Sequence, residues 1–390
     1  MWKYTILIVS LLVLGCNKGE GETVESAYIE PLPPELKYSF SRNGSSSVDV
    51  LECELVKEPI DRIYNSYLKR AQISNQSNYD EVMGLFTNGM YHLKPKEEIA
   101  TSPLHLAKKS VIEQDIITLI DVSSAIAGRG EANPSDHRNR PANYGRTGYI
   151  GQSIGDVNLS FADEKGLVVA EIFNNSLMGA IYLDKILNYH LDEQFFDNTE
   201  LIAKHENVEL LVGRNYTELE HHWDLAYGYF AFLRPLVQAE GIALLKDSER
   251  TLFNAFVQGR IELGRYRYED MKKHLKTIRS ELSRAIAIQI VDILVGENTL
   301  VNMDEGTGYA FPFISRAYGL IYTMQFARNA EGKPYFTYEE IQSYLQELKN
   351  DKGLWDKDKL LSDVNHKGSL KNIASEIGKP FGISINDIKR

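Results

Sequence analysis

A pattern written twice constrains this chain most. Ile172-Phe173-Asn174 is followed by Leu177, Gly179, Ile181 and Leu183, and Leu252-Phe253-Asn254 by Val257, Gly259, Ile261 and Leu263 at identical spacing. Ala226-Tyr227-Gly228 lies downstream of the first copy and Ala317-Tyr318-Gly319 downstream of the second. All four glycines sit in apolar runs of helical period. A glycine inside a helix costs about 1 kcal/mol relative to alanine, so glycines at matched places point to close contact between helices. The pattern reads as a duplicated helical unit over 165–240 and 248–327, or as chance similarity between amphipathic helices. The fold class is mainly α: a helical bundle built from two related helical halves.

Apolar periodicity extends this reading. Pro59 is placed to start a helix carrying Ile60, Ile63, Tyr64, Tyr67 and Leu68 on one stripe, and Ser102-Pro103 opens a second with Leu104, Ala107, Val111, Ile112, Ile116, Leu119 and Ile120. Further helical runs cover about 164–190, 217–239, 248–264, 268–296, 312–327 and 337–349. Thr217 with Glu220 and Thr337 with Glu340 have capping-box spacing. Between Tyr38 and Leu55 the pattern alternates instead around Asn43-Gly44, which predicts a small N-terminal β-hairpin.

The N-terminus constrains location. Lys3, an apolar run from Tyr4 to Leu14, and Gly15-Cys16 have the form of a bacterial lipoprotein signal, with residues 1–15 removed and Cys16 acylated. The apolar run is too short to span a bilayer. Residues 16–37, polar and containing Pro31-Leu32-Pro33-Pro34, read as a flexible tether, and 38–390 as a single helical domain. The charged residues Lys18, Glu20 and Glu22 after Cys16 fit a solvated linker or a loose surface-export signal. With Cys16 acylated, Cys53 has no disulfide partner and reads as a small buried hydrophobe. A hydrophobic content of 43% supports a sizeable core. A formal charge of −11 argues against nucleic acid and against charge-driven docking on anionic lipid. The expected membrane partner is therefore the bilayer that receives the acyl chains, in the cell envelope and at the outer membrane.

Two segments are candidates for chemistry. The stretch from Gly128 to Asp156 is irregular and locally basic, with Arg138, Arg140 and Arg146 as candidate ligand-loop residues; it reads as a mobile loop or as a lid over an anion. In the helix capped by Thr217, Glu218, His221 and His222 share one arc, and Asp224 lies three residues beyond His221. Imidazoles and carboxylates at that spacing suit a divalent metal such as zinc, or iron. The same residues have structural roles open to them, as cap, dipole partner and buried hydrogen-bonding groups. The corresponding stretch of the second half, Ala310-Phe311-Pro312-Phe313-Ile314-Ser315, is apolar. No Ser-His-Asp elbow, phosphate-cradling glycine loop or dinucleotide fingerprint is visible; the 22 tyrosines could line a sugar-binding groove, but those at helical spacing (Tyr64, Tyr67, Tyr227, Tyr318 and Tyr322) read as core.

Several stretches resemble one bacterial lipoprotein family. They are Tyr38-Ser39-Phe40 with Arg42-Asn43-Gly44, Gly166-Leu167, Asn175 to Ala180, and Glu220-His221 with Trp223-Asp224 and Ala226-Tyr227-Gly228-Tyr229. Ala317-Tyr318-Gly319 with Gln325-Phe326, Pro334 to Thr337, and Gly353-Leu354-Trp355 complete the set. The family is catalogued as domain of unknown function 4856, and the resemblance spans about residues 38–385. It implies a helical envelope lipoprotein with no established activity. A more distant likeness in character is to the imelysin group of iron-linked envelope proteins, whose Gly-x-His-x-x-Glu motif is here only approached by Glu220-His221-His222-Trp223-Asp224. The resulting expectation is a non-catalytic component that binds a ligand, iron or another metal, for an outer-membrane uptake complex. The alternatives are a metallohydrolase or peptidase using the same cluster, and a glycan- or partner-binding accessory lipoprotein.

Overall fold

Asn43 and Gly44 have φ angles of 52° and 78°, and between them they turn β1 (Ser41–Arg42) antiparallel onto β2 (Ser45–Ser46). Asparagine and glycine tolerate that left-handed geometry, so the dipeptide sets the hairpin. The computed structural model describes residues 37–69, 79–91, 93–128, 141–150, 160–238, 241–306 and 308–388. The signal segment, Cys16, all but Lys37 of the tether, and Arg138 and Arg140 lie outside these.

The alternation does not continue past the hairpin. Helix α1 (Leu51–Arg62) begins well before Pro59, which lies inside it. Cys53, Val56 and Ile60 form a buried stripe at helical spacing, and burying that stripe outweighs a short alternating pattern. Ser102-Pro103 likewise does not start the long second helix. The chain makes turns and a short 3-10 segment at Leu106–Lys108 before α3 (Lys109–Gly128), preceded by α2 (Tyr79–Asn88). Ile112, Ile116 and Ile120 are buried, but Leu104 and Val111 face solvent.

A second antiparallel pair, β3 (Gly148–Ile150) and β4 (Ser160–Ala162), stands where sequence periodicity is silent. Three-residue strands are too short to establish a period. Further helices include α4 (Val169–Leu177), α5 (Thr199–Glu206), α6 (Glu218–Val237), α7 (Ser248–Gly264), α8 (Tyr268–Val295), α9 (Ala310–Thr323), α10 (Tyr338–Lys349) and α11 (Leu370–Gly378). Both expected capping boxes form. After α4 the chain stays helical but widens into two π-helical segments, Met178–Leu183 and Lys185–His190. Runs of this kind are rare and tend to accompany functional positions.

One apolar core unites these elements. α8 is its axis, packed by α7, α9 and α11 and buried on every side from Ala285 to Val291. The stretch Tyr268–Glu305 is long and apolar enough to cross a membrane by length and composition, but the burial of α8 inside the body explains that apolarity as core packing.

The matched helices pair crosswise: α4 packs along α9, and α6 along α7. The four matched glycines sit at close approaches. A Cβ on Gly179 would lie 2.5 Å from the Thr323 hydroxyl, on Gly319 2.8 Å from the Ile172 carbonyl oxygen, on Gly228 2.7 Å from the Cys53 sulfur, and on Gly259 2.1 Å from the Trp223 ring. Gly259→Ala is therefore expected to destabilise the protein by about 1–3 kcal/mol. Gly84→Ala, inside α2 with nothing within 4 Å, should stabilise it by about 0.5–1 kcal/mol. Urea unfolding of the two variants checks both signs.

Candidate functional site

The N-terminal half of α6 carries the densest polar cluster, and it starts at the cap. Thr217 accepts the backbone N–H of Glu220, and the Glu220 carboxylate accepts the N–H of Thr217 at 2.9 Å. His205 of α5 is buried beside them, 3.0 Å from the Leu263 carbonyl through Nε2 and 2.7 Å from the Thr217 hydroxyl through Nδ1. The carbonyl can only accept, so Nε2 carries the proton and Nδ1 accepts from the hydroxyl. Thr217 thereby keeps its lone pairs for the cap.

Glu220 has a second task. Arg42 of the hairpin grips it with two parallel bonds of 2.9 Å, and Arg260 of α7 approaches the same carboxylate at 3.1 Å. Arg260 also donates from Nε to Asp224 at 3.0 Å, while the Tyr38 hydroxyl donates to the same Asp224 oxygen at 2.5 Å. Tyr38 stacks on Tyr227 at 3.7 Å, and the Phe40 ring covers the Arg260 guanidinium at 5.0 Å. Two carboxylates thus face two guanidiniums, and Arg260, Glu220 and Asp224 are each no more than 3% exposed. Paired fork geometry of this kind is the strong form of the carboxylate–arginine contact. Burial opposes the Glu220 charge, but Arg42, Arg260 and the Thr217 N–H overcome it and hold the carboxyl down to about 2. Asp224 has one oxygen without a partner, and burial outweighs Arg260 and Tyr38, lifting its carboxyl to about 6.

On another side of α6, His222 meets His190, the last residue of the second π-helical segment, with their Nδ1 atoms 3.1 Å apart. One ring must donate and the other accept, so the contact requires that at least one of the two rings stay neutral. Phe195 stacks on His222 at 3.8 Å. Burial first, then His222, Lys185 and His221, push His190 down, and burial, then His221 and Lys185, push His222 down to about 4. Lys185, on the same segment, is paired with Glu98 at 2.6 Å.

The π-helical chain also brings Ser102, His105 and Asp184 together. Their geometry is not that of a hydrolase triad. Asp184 lies 2.7 Å and Ser102 3.0 Å from the same ring nitrogen, Nδ1, and Arg328 occupies Nε2 at 3.1 Å. Arg328 can only donate, so Nε2 is an acceptor already in use and cannot take a proton from serine. Burial opposes ionisation of Asp184, yet bonds from His105 and Ser102 hold its carboxyl below the ordinary value. Burial also lowers Arg328, to about 10.

The residues singled out from sequence therefore go to different places. Asp224 is committed to Arg260 and Tyr38, His222 to His190, and His221 stacks on Tyr216 at 4.5 Å. Glu218 stands partly exposed in the first turn of α6, where the helix dipole favours a carboxylate. The structure does not bring these four together. Among the described residues no group of three or more His, Cys, Asp and Glu side chains is placed to hold a metal ion. Asp224 already has the Arg260 guanidinium as its cation, and His222 is taken up by His190 on another side of the helix. Of the candidate loop arginines, Arg146 is described, and it bonds the Pro141 carbonyl of its own loop at 3.0 Å. Cys53 is buried and unpaired, its thiol pushed up by burial. Arg42, Arg260, His190 and Asp184 escape a sequence reading. The available signal was Arg260 on the apolar stripe of Phe256, Val257, Gly259 and Leu263, where a charge needs a partner.

The family model described as Domain of unknown function (DUF4856) matches residues 35–384, and the chain belongs to that family. No curated protein and no solved structure matches it.

Removing the central cation should expose the cluster's dependence on it. Arg260→Met leaves Asp224 buried without its cation and is expected to cost about 3–5 kcal/mol. Adding Asp224→Asn should return part of that loss in a double-mutant cycle by urea unfolding. The histidine pair sets an acid limb. Below the unfolded histidine value of 6.5, the unfolded chain takes up protons that folded His190 and His222 refuse, so stability falls with pH. Asp224 acts oppositely: folded, it takes up a proton near 6, before the unfolded carboxyl at 3.8, and so favours the fold as pH falls. His222→Gln should flatten the limb between about pH 6.5 and about pH 4 by up to about 1.4 kcal/mol per pH unit. Asp224→Asn should steepen it, read from urea midpoints across that range.

Proposed function

We propose that this protein is a lipid-anchored component of the bacterial cell envelope, held by acylated Cys16 at the outer membrane, whose body binds a ligand or partner for an uptake complex. The supporting observation is the fastening of the segment that follows the tether. Chain ends ordinarily fray unless they are tied down. Here Tyr38, Phe40 and Arg42 are tied into buried Glu220, Asp224 and Arg260, so tension on the N-terminus is delivered to α6 and α7 rather than to a loose end. That suits a body suspended from its N-terminus.

Binding rather than chemistry is favoured by the way reactive groups are spent. Arg328 occupies Nε2 of His105, Ser102 and Asp184 share its Nδ1, Glu220 is gripped by Arg42 and Arg260, and Asp224 is held by Arg260 and Tyr38 through one oxygen, so these groups serve first as one another's partners. A cavity of about 430 Å³ lies at the other end of α6, lined by Val237, Gln238, Ile242, Leu245, Lys246 and Glu249. Its size is in the range of small-ligand pockets. Iron or zinc on Glu218, His221, His222 and Asp224 draws no support from their placement.

Two measurements test the reading. Wild-type protein should incorporate labelled palmitate and fractionate with outer membranes, and Cys16→Ala should do neither; equal behaviour of the two overturns the anchor. Elemental analysis of the purified protein should find no stoichiometric iron or zinc. A stoichiometric metal released by His222→Ala would reinstate a metal-carrying role.

A further inference from the structure

The loop between α5 and α6 presents apolar side chains where a soluble surface has no use for them. Leu211 N–H donates to the Tyr216 carbonyl and Arg214 N–H to the Leu211 carbonyl, closing a tight turn with Gly213 at φ 71°. Val212 stands at the apex and is fully exposed, at 101%, with Val208 and Leu210 exposed on the same loop. Turn apices ordinarily carry polar residues or glycine, and an ordered turn gains nothing for folding by offering valine to water.

Its position gives the turn a meaning. Asn215, at the base of the loop, donates to the carbonyls of Arg42, Ser45 and Ser46, and Arg214 pairs with Asp49. The apolar turn is therefore fastened to the hairpin that receives the chain from Cys16, 22 positions ahead of Tyr38. Charge on the loop is balanced, with Glu209 against Arg214. That balance suits an uncharged lipid surface better than a strongly charged partner.

We infer that the Val208–Val212 loop is a second membrane contact, inserting Val212 into the interface of the bilayer that holds acylated Cys16 and so orienting the body on it. This rests on the lipid-anchor reading. Apolar insertion beside a lipid chain follows the two-signal logic of peripheral attachment.

The test uses full-length acylated protein in phosphatidylcholine vesicles. Val212→Cys gives an addressable thiol, because Cys53 is buried and Cys16 is acylated. Gln346→Cys, exposed on α10, is the reference. With an environment-sensitive fluorophore at each site, the 212 probe should shift to the blue and be quenched by nitroxide-bearing lipid, and the 346 probe should do neither. If the protein floats with vesicles while both probes stay water-like, the second contact is refuted and the anchor stands. If it fails to float, the anchor reading itself fails and takes the inference with it. A blue shift that follows protein concentration without lipid quenching overturns the inference in favour of self-association.

Discussion

A guanidinium buried in an apolar helix interface must be matched, and Arg260 is the place where this fold meets that requirement. Its stripe-mates on α7 are Phe256, Val257, Gly259 and Leu263, so the charge enters the body wherever α7 packs. Two carboxylates on α6, Glu220 and Asp224, answer it. Two carboxylates against one cation would leave excess negative charge, and Arg42 brings the balance to neutrality. The docking of the hairpin, the register of α6 on α7 and the seating of Tyr38 on Tyr227 all follow from that one buried cation.

The same economy recurs around the π-helical chain. Asp184 is matched by His105, Ser102 and Asn188, and His105 in turn by Arg328, whose neighbour Ser283 accepts its backbone N–H. Arg279 is answered by Glu193 and the Leu191 carbonyl. These bonds tie the segments from 98 to 105, 178 to 193 and 325 to 328 to one another, although Asn188 Oδ1, Arg279 Nε and Arg328 Nε are buried without a partner. The residue types of a hydrolase are present, but their lone pairs and protons are already in use.

Local rules are legible in the sequence and non-local ones are not. The capping boxes at Thr217 and Thr337 and the Asn43-Gly44 turn involve partners three or four positions apart, so spacing alone predicts them. The start of α1 is misread because a proline is a local helix-start signal, whereas burial of Cys53, Val56 and Ile60 is a tertiary gain. The metal reading of Glu218, His221, His222 and Asp224 draws no support from the structure for the same kind of reason. Helical spacing places side chains on arcs, but the groups that claim them, Tyr38, His190 and Arg260, lie 186, 32 and 36 positions away.

The matched glycines show where the boundary lies. From sequence they announce that helices approach closely, and each of the four does face an atom within 3 Å of where a Cβ would stand. Which helices meet is a different matter, because the packing is crosswise, α4 with α9 and α6 with α7. The sequence by itself determined helical class, caps, the hairpin turn and the demand for small residues, since these depend on backbone preference and periodicity within a few turns. The tertiary structure alone decided which charges cancel, which histidines share a proton and which candidate ligands are consumed, since a buried charge is answered by whatever the fold brings alongside, at any distance along the chain.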